Sequence, residues 1–266
     1  MFFARSDQRY MSFLSKELDS NKIGIVIGII VVGLIGRIIW AGGIEEYFSP
    51  NKQVENAIVS ALESQPGGAI MLSQLESDFP LEYEDLLSAM TNQAVRDQSP
   101  DNIVEAGNQW LRRFFASHSK DFKFAPIGSL DTVLSTEATA LAAMYEHEPQ
   151  LCDNYIRGWA LPGNLPEKVS QSIGSAVAAK FAAIRAGRDD QQLRLDLTPY
   201  DLGELTNALT AGGMNEDELA FVLDGVRDGV EESGEKCKAI QGLVAGVQNQ
   251  PEDRRALLVS AIVVGK

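Results

Sequence analysis

The sequence predicts an all-α protein, with a single N-terminal transmembrane helix followed by a multi-helix extracytoplasmic domain. Three observations lead there. Ile23 to Trp40 is an apolar run holding one charge, Arg37. From residue 53 onward, apolar side chains recur at the three- and four-residue spacing of helices, with almost no strand-like alternation. Helix-start signals punctuate that pattern, among them Ser99-Pro100, Thr198-Pro199 and Asn215 with Glu218.

Residues 1–22 read as a cytoplasmic tail, 23–41 as the span and 42–52 as a linker. At about 1.5 Å per residue the run crosses most of a hydrocarbon layer of roughly 30 Å. It is apolar on every side, unlike a globular surface helix. Arg37 near its end can snorkel to the headgroups, and a central arginine would cost only about 2.5–3.5 kcal/mol on insertion scales. Twelve Ile, Val and Leu residues lie between positions 23 and 39; each returns about 0.3–0.6 kcal/mol, so the span is favoured. Trp40 suits an interfacial anchor, and Gly24 with Gly28 forms a G-x-x-x-G pair on which another helix could pack closely. Arg5, Arg9, Lys16 and Lys22 precede the span and Lys52 follows it, which orients the N-terminus to the cytoplasm and the domain outward. The expected location is thus a cell inner membrane with the domain in the periplasm. A cleaved signal peptide and a buried core helix are the competing expectations for the same run.

The domain divides in expectation into helical subdomains at 53–125 and 126–266, the second carrying a disulfide. The first helix places Val54, Ile58, Ala61 and Leu62 on one face and is expected to stop at Pro66-Gly67-Gly68. Helices follow Pro80 and Ser99-Pro100, the latter carrying Trp110, Phe114 and Phe115 with Arg112 and Arg113 as a core edge. Ser129 is the expected cap of a helix that Pro149 stops, and a short helix then carries Leu151, Cys152, Tyr155 and Ile156. A longer helix over about 166–186 bears Gly174, Ala178, Ala182 and Ala186 at fourfold spacing, a stripe that lets another helix approach, with Gly187 as its stop. Helices from Thr198-Pro199, Asn215 and Gly234 follow, and the apolar run Ala256 to Val264 is too short to span and fits a buried helix or strand.

The formal charge is −14, but the first 43 residues hold five basic and three acidic side chains, leaving 18 basic and 34 acidic residues beyond them. So acidic a body repels a phosphate backbone, and no nucleic-acid partner is expected. Cys152 and Cys237 are too few and too far apart for a zinc site. Each falls on the apolar face of its helix, so in an oxidising compartment they are expected to pair.

No catalytic constellation emerges, and neither a cofactor nor a metal ligand set is expected. Ser117-His118-Ser119-Lys120 and Ser233-Gly234-Glu235-Lys236 satisfy S-x-x-K, but the companion motifs of that enzyme class are missing from the sequence. In Glu146-His147-Glu148 helical neighbours point apart, so a solvated helix end outweighs a metal site. Asp217, Asp224, Asp228, Glu231 and Glu235 recur at helical spacing as an acidic stripe, a solvated face first and a candidate partner face second. The functional expectation is a non-enzymatic accessory or scaffolding subunit of a larger membrane complex. Its partners are the other subunits and, through the N-terminal helix, the bilayer. A hydrolase with an unrecognised Ser/His site and a small-ligand binding module are the alternatives.

Overall fold

A computed structural model describes residues 50–97, 99–157, 165–195, 197–224 and 234–264. Among these residues the chain is all-helical, with twelve helices. They are α1 (Pro50–Glu63), α2 (Pro66–Asp78), α3 (Pro80–Arg96), α4 (Pro100–Ser117), α5 (Ser119–Lys123), α6 (Ile127–His147), α7 (Pro149–Arg157), α8 (Glu167–Asp189), α9 (Pro199–Ala211), α10 (Glu216–Asp224), α11 (Glu235–Gln248) and α12 (Glu252–Val264). None of them is long and apolar enough to cross a membrane. The expected span at 23–41 and the tail at 1–22 lie outside the described residues.

Prolines open helices more often than they close them here. Pro66, expected to end α1, starts α2, and Gly67 and Gly68 are buried within that helix. Proline at the first helical position forfeits no hydrogen bond, because that N–H has no intrahelical partner anyway. The next long helix, α6, begins at Ile127 with Pro126 as its N-cap residue, ahead of the Ser129 cap that the sequence suggests. The run from Ala256 to Val264 is helical. Two caps fall where expected. The Asn215 side chain accepts from the Glu218 N–H at 2.9 Å while Glu218 accepts from the Asn215 N–H at 2.8 Å. Thr198 and Asp201 form the equivalent box at the head of α9.

The hub is α8, in which fourteen of twenty-three residues are buried. It packs along α2 on one side and α6 on another, with α5 across its C-terminal end. The contact with α2 is glycine on glycine. A Cβ on Gly174 would sit 2.2 Å from the Gly67 carbonyl oxygen, and a Cβ on Gly67 would sit 1.9 Å from that of Ser170. The Gly67 N–H donates to the Ser170 hydroxyl at 3.1 Å in the same crossing. Gly174, the first residue of the small-residue stripe, therefore does bring a second helix close. Gly187, however, is not a stop: α8 runs on to Asp189, and at Gly187 the backbone of α5 approaches so near that a Cβ would lie 1.9 Å from the Asp121 carbonyl oxygen.

Beside that hub Phe79, Phe114 and Phe181 meet edge to face, with centroids 5.1 and 5.2 Å apart, and Trp110 stacks on Phe114 at 5.2 Å. Trp110 and Phe114 are buried, whereas Arg112 and Arg113 are exposed, as a core edge requires. The Trp110 indole N–H donates to Asp85 at 2.7 Å, satisfying the ring's one polar atom. Buried side chains form one continuous cluster from Ile58 in α1 to Val259 in α12. The last helix is pinned by two arginines. Arg255 grips Asp131 of α6 through both carboxylate oxygens at 2.6 and 2.8 Å, and Arg254 reaches Glu204 of α9 at 3.3 Å.

Candidate functional site

The most heavily built polar region surrounds α7, a helix of nine residues that uses three side chains to bind two neighbouring helices. Cys152 is joined to Cys237 of α11 in a disulfide, with their Cα atoms 5.7 Å apart and both residues fully buried. This is the expected pairing: two amphipathic faces turned inward bring their sulfurs together across 85 residues of chain. Asp153, 1% exposed, accepts from the backbone N–H groups of Gly234 at 2.7 Å and Cys237 at 3.1 Å. Gly234 there has φ +88°, which favours glycine, and a Cβ on it would meet the Pro149 and Tyr145 side chains at 2.7 and 2.8 Å.

The third link is Tyr155, whose hydroxyl donates to Glu137 of α6 at 3.2 Å. Glu137 in turn pairs with Lys180 of α8 at 2.8 Å, with the lysine side chain 3% exposed and the glutamate 12%. Burial first, and then the Glu137 carboxylate beside it, push the Tyr155 phenol well above its ordinary range. Ionising that phenol would place a second negative charge against Glu137 in a dry site. The Tyr155 phenol thus holds its proton firmly, and the triad joins α6, α7 and α8.

The remaining expectations fare unevenly. Gly24, Gly28, Arg37 and Trp40 of the anchor lie outside the described residues, as do Asp228 and Glu231 of the acidic stripe. Asp217 is exposed on α10, and Glu235 is half-buried at the start of α11. The first S-x-x-K match is not arranged as a nucleophile, because the Ser117 hydroxyl donates to the Phe114 carbonyl at 2.8 Å within its own helix. His118 packs at a tilt against Phe114, with ring centroids 4.4 Å apart, and its Nδ1 lies 3.3 Å from Asp121 and 3.1 Å from Arg188. That ring closes the aromatic cluster. His147 is exposed, and its neighbour Glu146 pairs with Lys168 at 2.8 Å. Among the described residues no group of three His, Cys, Asp or Glu side chains could hold a metal ion.

Sequence reasoning missed Asp153, Glu137 and Lys180. For Lys180 a signal exists: it is the only charged residue between Lys168 and Arg185, in the small, apolar stretch of α8. A lone charge on a buried helix needs a partner, and the partner had to come from another element. Asp153 carries no comparable signal, since Gln150, Asn154 and Arg157 make polar residues common in α7. No family model, no curated protein and no solved structure matches the chain, so its own residues carry the functional argument.

Proposed function

We propose that the protein is a membrane-anchored, non-enzymatic subunit of a larger envelope complex, holding a helical domain on the extracytoplasmic face for contact with other subunits. The observation that carries this reading is the apolar run of residues 23–44 with its single arginine and the basic residues that precede it. The buried Cys152–Cys237 disulfide agrees with it, because such bonds persist in oxidising compartments. Asp153, Tyr155 and the Glu137–Lys180 pair around α7 join helices, which is the use expected of them in a docking domain.

The test is fractionation followed by co-purification. The full chain is expected to stay with membranes through alkaline extraction, to lose its domain to protease added from the extracytoplasmic side, and to emerge from mild detergent with other membrane proteins at fixed ratio. Release into the soluble fraction refutes the anchor. Purification alone, as a monomer, refutes the subunit role.

A further inference from the structure

The head of α11 is buried, and Gly234 in its N-cap position has no side chain with which to cap it. A capping box satisfies two amides, those of the N-cap and of the third helical residue. Here these are Gly234 and Cys237, and both donate to one carboxylate from another helix, Asp153. The geometry is a capping box supplied in trans by a single side chain. Asp153 is the neighbour of Cys152, and Cys237 is the residue whose amide it holds, so the polar clamp and the covalent one coincide.

We propose that Asp153 is the positioning residue of this joint: it docks α7 on α11 before the cysteines are linked, so that the disulfide locks an existing contact rather than creating it. A carboxylate buried without donors is strongly disfavoured, whereas one seated on a helix N-terminus is matched by oriented N–H groups and by the helix dipole. Only one register of α7 against α11 satisfies Asp153, and that register sets the cysteine Cα atoms 5.7 Å apart, within the range a disulfide bridges.

The order of events follows from burial. Both cysteines are 0% exposed, so an oxidant cannot reach either sulfur while α7 is docked. With α7 lifted, the thiolate of one cysteine attacks a disulfide-bearing oxidant, forming a mixed disulfide and releasing one of the oxidant's thiols. Redocking through Asp153 then brings the second thiolate onto the mixed disulfide, which expels the oxidant's other sulfur as a thiol. Two electrons and two protons pass from the cysteine pair to the oxidant.

Hydrogen exchange at Gly234 and at residue 237 in the detergent-solubilised full chain is the test. In C152A/C237A both amides are expected to stay protected, and adding Asp153→Asn is expected to speed their exchange at least tenfold while the amides of α9 are unchanged. Loss of protection in C152A/C237A itself would overturn the proposal, as would protection that survives Asp153→Asn. Should the triple variant fail to fold, reduced and oxidised wild-type chains decide: protection that survives reduction supports the proposal, and its collapse overturns it. Independently, the thiol–disulfide equilibrium against glutathione should fall at least tenfold in D153N and stay unchanged in T198A, which uncaps α9 instead; equal effects in the two variants would refute the positioning role.

Discussion

Removing one member of the Glu137–Lys180 pair should cost far more than removing both. In E137L the Lys180 ammonium, 3% exposed, keeps its burial and loses its carboxylate, and the Tyr155 hydroxyl loses its acceptor. Stranding one partner of a buried pair costs about 3–5 kcal/mol, and a protein of this kind has about 5–15 kcal/mol in all. In K180M the glutamate, 12% exposed, keeps the Tyr155 hydroxyl, so the loss is about 2–3 kcal/mol. The double variant E137L/K180M fills the same space with apolar groups and should lie within about 2 kcal/mol of wild type. Thermal unfolding followed by circular dichroism reads these values, at about 2–4 °C of Tm per kcal/mol for a domain of this size. Additive single effects, or a loss below about 1 kcal/mol in E137L, would refute the claim that the pair is desolvated and mutually dependent.

Gly174→Ala drives a methyl into the Gly67 backbone, where a Cβ would lie 2.2 Å from the carbonyl oxygen; it should lower stability, read by thermal unfolding, by at least what an overpacked core costs, about 1–3 kcal/mol. Gly203→Ala in α9, where a Cβ meets nothing within 4 Å, should raise stability by about 0.4–1 kcal/mol in the same assay. Replacing Cys152 and Cys237 by alanine opens a loop spanning 85 residues; urea unfolding should show a loss of about 4.5 kcal/mol in the chain-entropy model. The raised Tyr155 phenol means that the unfolded chain ionises first. Its contribution is therefore complete below the unfolded value of about 10 and is lost as pH climbs above it, and Y155F should flatten the alkaline limb of a stability–pH profile.

Local and periodic features were legible in the sequence. Helix content, the caps at Thr198 and Asn215, the inward faces of Cys152 and Cys237, and the small stripe on α8 each depend on residues within a few positions of one another. The proline error has one cause: Pro66 serves equally as a stop for the preceding segment and as the first turn of the next, and only packing of that next segment decides. Gly187 misled for a related reason, since glycine marks both a C-terminal stop and a point of close approach, and here the Asp121 backbone occupies the space a Cβ would take. The polar links in the joint around α7 were illegible because their partners lie 18 to 84 residues apart in the chain. A side chain that caps a helix in trans leaves no spacing to recognise.

That same joint explains how so short a helix is held. Isolated helices under about 12–15 residues are marginal in water, so the nine residues of α7 depend on the groups they touch. Leu151 contributes apolar burial, but Cys152, Asp153 and Tyr155 are also buried and carry the directional contacts, two to α11 and one to Glu137. Apolar burial is tolerant of sliding, whereas a disulfide and a carboxylate fitted to two particular amides are not. The directional contacts therefore fix where α7 sits, and with it the relation of α11 to α6 and α8. The dense glycine crossing of α8 with α2 fixes the other half of the bundle mainly by shape. One domain thus uses two means of specifying geometry: close backbone packing where the residues are small, and satisfied polar links where a short helix must be placed.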